Sequence, residues 1–258
     1  GHIIIDGKIM SAVETYNFTD NQNHKVSAIF VKENTHPYYM ENNKKFYIGF
    51  TDITGNVYKY IAPSDKEILF DVNEKIFKDN TIEWAKSSIN FVTECELMLG
   101  TNDDTFSPND GITRHMFVTV LGKLYERSYG NVSGNNTFSD IHANQHNDNY
   151  IAWARENNIV RGVGENLFAP NQAMTNEQMA TILFNFASYL NKADISNTNL
   201  EYNDNDAIAS WAIEGVRYLQ KEGIAIKEEN NYFNPQKIVT RAEAAVTLDQ
   251  FIKSILNQ

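Results

Sequence analysis

TFSPNDGITRHM, residues 105–116, joins a Phe-x-Pro turn to a threonine five residues beyond the proline. The same order returns in LFAPNQAMTNEQ (167–178) and in YFNPQKIVTRAE (232–243). An offset of 62 carries Gly100, Phe106, Pro108 and Thr113 onto Gly162, Phe168, Pro170 and Thr175. An offset of 65 carries the last three onto Phe233, Pro235 and Thr240. Several landmarks at one constant spacing mark an internal repeat, and a repeat of this length implies stacked supersecondary units.

Each unit has four parts. It opens on an aromatic-x-Asp: FKD ending at Asp79, FSD at Asp140, YND at Asp204. A helix is expected next, over 82–95, 147–158 and 208–222. A polar loop then closes on Phe-x-Pro. A second helix is expected over 113–127, 175–191 and 240–256. Its apolar residues keep helical spacing: Phe117, Val120, Leu121 and Leu124; Met179, Ile182, Leu183 and Phe186; Ala244, Leu248, Phe251 and Ile255. Neither helix hides its stripe alone, so the three units should pack on one another.

Local chemistry explains most of the Phe-x-Pro stretch. Proline fixes φ and disfavours helix in the residue before it, so an extended loop is expected. The threonine is a good N-cap. Glu243 stands three residues after Thr240, and Gln178 three after Thr175, which are capping-box positions. Met116 holds that place after Thr113. The arginines, Arg114 and Arg241, lack such a reason. A cation at a helix N-terminus opposes the macrodipole by some tenths of a kcal/mol, up to about 1. Free N–H groups there favour anions, so a bound anion would reconcile arginine with its place.

Residues 1–72 read differently. KVSAIFV (25–31), KKFYIGFTD (44–52) and NVYKYIA (56–62) alternate and are rich in β-branched and aromatic residues, with turn signals at Thr54-Gly55-Asn56. Residues 8–18 and 67–72 add candidate strands. A small antiparallel module is expected, sandwich-like and Ig-like in outline. The whole chain has 258 residues, a net charge of −11 and one cysteine, Cys95. That balance argues against general nucleic-acid binding, which needs a basic surface. One cysteine excludes an intramolecular disulfide framework and a multi-cysteine zinc site. No run of about 18 apolar residues predicts a membrane span. The opening Gly1-His2 reads as a scar of tag removal and the chain as a fragment, so the lack of a visible signal peptide says nothing of location.

The pattern of aromatic-x-Asp, tryptophan, loop glycine, Phe-x-Pro and TRAE resembles the S-layer homology (SLH) domain, in three tandem copies over about residues 74–258. The resemblance implies an α-helical bundle of three repeats about a pseudo-threefold axis. The boundaries expected are 1–72 for the β module and 73–130, 131–195 and 196–258 for the repeats. It also implies grooves between repeats that bind a secondary cell-wall polysaccharide of Gram-positive bacteria, often pyruvylated, with the TRAE arginine on the pyruvyl carboxylate. A guanidinium fork suits a carboxylate. Carried over residue by residue, the glycan contacts would be Arg114, Arg241, Trp84, Trp211, Gly100, Gly162, Asp79, Asp140, Asp204, Thr113, Thr240 and Glu243. The second unit departs from the pattern, with His146 at the tryptophan position and Asn176 at the arginine. The third has Lys227 at the loop glycine.

Each of these residues has a plainer reading. The arginines could make surface ion pairs, and the two tryptophans could be core anchors. The aspartates could be caps or turn formers, and the glycines could serve a left-handed turn. Trp153 aligns with Phe91 and Tyr218 and reads as core. Asp103-Asp104 and Asp204/Asp206 lack calcium-loop spacing, and the histidines show no zinc pair, so no metal and no cofactor are expected. No carboxylate pair or nucleophile–base motif points to an enzyme. The expected function is non-covalent anchoring of a surface protein to the cell wall, outside the cell, with surface proteins as further partners. Two other readings stand beside it. One is a protein–protein scaffold with degenerate repeats. The other is an adhesin or carbohydrate-binding β module merely held in place by the repeats.

Overall fold

The computed structural model describes residues 77–94, 96–129, 131–135, 138–141, 148–196, 198–224 and 231–257, together with short strand segments before residue 77. His146, Lys227 and Cys95 lie outside the described residues. The chain divides into two compact units, residues 1–106 with 124–130, and residues 107–123 with 131–258.

In the first unit the described strands pair antiparallel. β1 (His2–Ile5) pairs with β2 (Lys8–Ser11), and β3 (Thr15–Thr19) with β4 (Lys25–Ile29). β5 (Thr35–Glu41) lies between β6 (Lys44–Tyr47) and a later strand, β9 (Leu69–Val72). β7 (Gly49–Thr51) pairs with β8 (Val57–Lys59). How these pairs assemble, and so the expected sandwich, lies outside the described residues. Helix α1 (Glu83–Glu94) follows, with Ala85, Ile89, Phe91 and Val92 buried.

Five further helices occupy the places the periodicity predicts. They are α2 (Arg114–Tyr129), α3 (Asp148–Glu156), α4 (Asn176–Tyr189), α5 (Ile213–Lys221) and α6 (Arg241–Asn257). All twelve apolar positions read from the second helices are buried. Trp153 is core as expected, edge-on to Phe186 at 6.1 Å. Phe186 in turn meets Phe251, and Phe251 meets Tyr218. α5 starts later than the spacing suggests, because Ser210–Ala212 forms a 3-10 turn ahead of it. α4 and α5 approach closely at Gly215, where a Cβ would stand 2.7 Å from the Ala180 backbone. A Cβ at Gly122 would collide with the Tyr150 ring.

The second unit is closed by a cyclic set of backbone hydrogen bonds. Ile112 N–H donates to Val239 C=O, Val239 N–H to Met174 C=O, and Met174 N–H to Ile112 C=O, all at 2.9–3.0 Å. These are equivalent residues of the three repeats, so the bonds run in a closed triangle. All three side chains are buried. One residue earlier stand Gly111, Ala173 and Ile238. A Cβ on Gly111 would lie 3.0 Å from Ile238 Cγ2 and 3.3 Å from Ala173 Cβ. One residue of each size fills the space where three side chains converge.

Ile238 is 43% exposed and can give way, so Gly111→Val should crowd this point and lower stability by only about 0.5–1 kcal/mol. Adding Ile238→Ala should restore most of the loss. Chemical denaturation of the two variants checks this, and additive losses would show that the residues do not share the space.

Candidate functional site

Of the expected site residues, the three aspartates and Arg114 meet the Phe-x-Pro loops. The aspartate that opens each repeat clamps its own loop. Asp140 accepts the Phe168 N–H at 2.8 Å and the Ala169 N–H at 2.7 Å, one on each oxygen. Asp204 accepts the Phe233 and Asn234 N–H groups at 2.8 Å each. Asp79 accepts the Phe106 N–H at 2.8 Å. The aspartates are thus loop formers, as the plainer reading had it.

The clamp holds a backbone that the sequence argument did not foresee. Ser107, Ala169 and Asn234, each just before its proline, have φ of 57°, 57° and 51°. The loop is not extended there but left-handed, a region costly for non-glycine residues. At Asp140 and Asp204, two charge-assisted hydrogen bonds from adjacent N–H groups offset that cost. The loop glycines work differently from expectation. Gly100 and Gly162 are absent from the positive-φ residues, where Gly164 and Gly223 stand instead. Close approach is what requires them. A Cβ at Gly100 would lie 2.5 Å from the Asn102 carbonyl oxygen, and one at Gly162 2.6 Å from that of Leu167.

The threonines cap as predicted. Thr175 and Gln178 form a full capping box. Thr240 N–H donates to Glu243 Oε2 at 2.7 Å, and Glu243 N–H returns to Thr240 Oγ1 at 3.2 Å. Thr113 receives only the Met116 N–H. Burial pushes the Glu243 carboxyl up, but hydrogen bonds from Lys237 and Thr240 outweigh it, and the net displacement is downward.

The N–H groups at the helix starts are not free. Arg114 N–H donates to Gln172 C=O and His115 N–H to Pro170 C=O, both at 3.0 Å. Asn176 and Glu177 donate in the same way to Lys237 and Pro235, and Arg241 and Ala242 to Asp110 and Pro108. Each second helix thus spends its first two N–H groups on the next loop in the cycle. The side chain of the first helical residue repeats the gesture. Arg114 is 4% exposed. Its Nε donates to Phe168 C=O and its Nη2 to Arg161 C=O, each at 2.8 Å, with the guanidinium 4.7 Å over the Phe168 ring. Asn176 is buried, and its Nδ2 donates to Phe233 C=O at 2.9 Å and to Asn234 C=O at 3.1 Å. The Phe168–Ala169 peptide is therefore gripped at both ends, by Asp140 on the Ala169 N–H and Arg114 on the Phe168 C=O. Arg241 is also buried, with Nη1 3.7 Å from Met116 Sδ. Burial lowers the Arg114 guanidinium from its ordinary value, and the Asp140 charge acts in the opposite direction.

The tryptophans part from core anchors. Trp84 is 60% and Trp211 53% exposed. A large aromatic face turned to solvent suits stacking on a sugar ring, with the indole N–H as a donor.

One residue escaped the sequence reading. Glu177, 3% exposed, lies between the Phe-x-Pro loop of the third repeat and the turn that carries Trp211. Its Oε2 accepts the Ala209 N–H at 3.1 Å, and its Oε1 accepts from Gln236 Nε2. The available signal was an acid at the position that holds His115 and Ala242 in the other repeats. Among the described residues no cluster of His, Cys, Asp and Glu could hold a metal ion.

The S-layer homology domain family matches residues 77–114, 137–180 and 201–245. An amylopullulanase of Thermoanaerobacterium thermosulfurigenes is 31% identical over 68% of this chain, which is 9% of its own length. S-layer protein EA1 of Bacillus anthracis is 27% identical over 63% of the chain and 18% of its own length. A cellulosome-anchoring protein of Acetivibrio thermocellus is 24% identical over 57% of the chain and 33% of its own length. The chain thus spans less than a third of the first two relatives and about a third of the last.

Two outcomes follow from the loop geometry. Ala169→Gly should relieve the left-handed strain and raise stability by about 0.5–1 kcal/mol, measured by denaturation. Glu243→Ala should cost about 1 kcal/mol at neutral pH. Because the Glu243 carboxyl is held below its unfolded value, near 4.3, its contribution is present above that pH and fades as pH falls through the folded value. Melting curves of the two proteins should converge in acid.

Proposed function

The chain carries three S-layer homology domains at residues 77–245, and we propose that they anchor a surface protein to the bacterial cell wall by binding an anionic, pyruvylated polysaccharide between repeats. Similarity to S-layer and cellulosome-anchoring proteins supports anchoring and a cell-surface location. The ligand chemistry rests on Arg114. Its guanidinium is buried, and its hydrogen bonds go to neutral carbonyls. The nearby carboxylate, Asp140, has an oxygen on each of two backbone N–H groups. Burial outweighs that charge in the balance of its pKa. A buried cation so weakly compensated favours an incoming carboxylate. Two of the five donors of the fork hold the loops, and the rest suit an anion. The exposed Trp84 and Trp211 supply faces for sugar rings. This role is one of binding and needs no catalytic group. Relatives such as the amylopullulanase match over a small share of their length, which fits an accessory module attached to varied partners.

Co-sedimentation with cell walls tests the reading. Binding should vanish when the secondary polysaccharide is stripped from the walls. Arg114→Lys with Arg241→Lys keeps both charges but loses the fork, and should weaken binding on the order of ten-fold. The alanine pair should abolish it. Because Arg114 also ties two loop carbonyls, its alanine variant should in addition cost about 1–3 kcal/mol of stability. Binding to stripped walls would favour protein partners instead.

A further inference from the structure

We propose that Glu177 sets the ligand specificity of the junction between the second and third repeats, making it reject the anionic sugar that the arginine-bearing junction accepts. The inference rests on the reading of the repeat junctions as glycan sites. Two substitutions act together here. At the junction of the first and second repeats, the first two helical residues are Arg114 and His115; at the next junction they are Asn176 and Glu177. The amide of Asn176 takes over the loop-holding task of the arginine, since its Nδ2 reaches Phe233 and Asn234 C=O. The fold is thereby kept while the positive charge is gone.

Glu177 adds an acid at the same place. Its carboxylate bridges two parts of the third repeat, the Ala209 N–H two residues before the exposed Trp211 and the Gln236 amide just after Phe-x-Pro. An incoming carboxylate approaching Trp211 along this junction meets an acid already seated between the tryptophan turn and the loop. Like charges brought together out of water repel strongly, and specificity is often set by such a repulsive element. A sugar residue without charge suffers no such penalty. The junction therefore suits an uncharged sugar.

The test is calorimetric titration of the full chain with two probes, the methyl glycosides of 4,6-O-pyruvyl-N-acetylmannosamine and of unmodified N-acetylmannosamine. Three proteins are compared: wild type, Glu177→Gln, and Asn176→Arg with Glu177→Ala. The double variant should titrate one more site per chain for the pyruvylated sugar than wild type. Glu177→Gln keeps an oxygen for the Ala209 N–H and is the milder variant if the double one fails to fold. It should raise affinity for the pyruvylated probe at this junction on the order of ten-fold, and leave the unmodified probe unchanged. Wild type that already fills this junction with the pyruvylated sugar overturns the inference alone. So does a folded pair of variants with wild-type site number and affinity. Silence of all three proteins toward the pyruvylated probe overturns the glycan reading and the inference with it.

Discussion

Every junction described between these repeats depends on one exchange. The first two N–H groups of a helix have no partner within that helix. In this chain they are satisfied by two carbonyls of the next Phe-x-Pro loop, through bonds of 2.8–3.1 Å at all three junctions. Because α6, the second helix of the third repeat, donates to the first loop, the exchange closes on itself. The triangle of Ile112, Met174 and Val239 runs the other way round and locks the same segments. No one repeat can satisfy its own helix start, which ties the formation of one loop to the placement of the next helix.

That dependence explains the residues that border the exchange. The loop must turn its carbonyls toward a neighbour, and it does so by a left-handed residue before the proline. Asp140 and Asp204 make this affordable with paired bonds to the two N–H groups that the turn leaves exposed. Arg114 then seizes the carbonyl on the other side of the same peptide. Aspartate, phenylalanine, proline and arginine thus form one hydrogen-bonded assembly spread over two repeats. A ligand role for the arginine has to be added to this structural one and does not replace it.

What could be read from the sequence was local. Helical spacing fixed the six helices to within a few residues, apart from the start of α5, and the capping boxes at Thr175 and Thr240 followed from residues three apart. What could not be read was set from a distance. The left-handed turn at Ala169 is held by Asp140, 29 residues earlier, so a rule about the residue before proline misjudged it. The helix N–H groups looked free because their partners belong to another repeat. Gly162 was explained by backbone freedom, whereas the nearby Leu167 carbonyl leaves no room for a Cβ. Glu177 was passed over because a single acid in a capping stretch has an ordinary explanation until its two partners are seen.

The repeats are alike in backbone and unlike in side chain, and the structure shows why both hold. Backbone exchange needs only the turn, so it is the same at three junctions. Side chains that meet must instead complement each other. At the centre of the ring, Gly111 and Ala173 leave space that Ile238 fills. Between helices, Gly122 receives Tyr150, whereas Gly215 lies against the Ala180 backbone. Three isoleucines would crowd this point, since a Cβ on Gly111 alone would lie 3.0 Å from Ile238 Cγ2. The packing at this point therefore favours repeats that differ. Once they have diverged, the chemistry at each junction is free to differ as well, as Arg114 and the pair Asn176–Glu177 do.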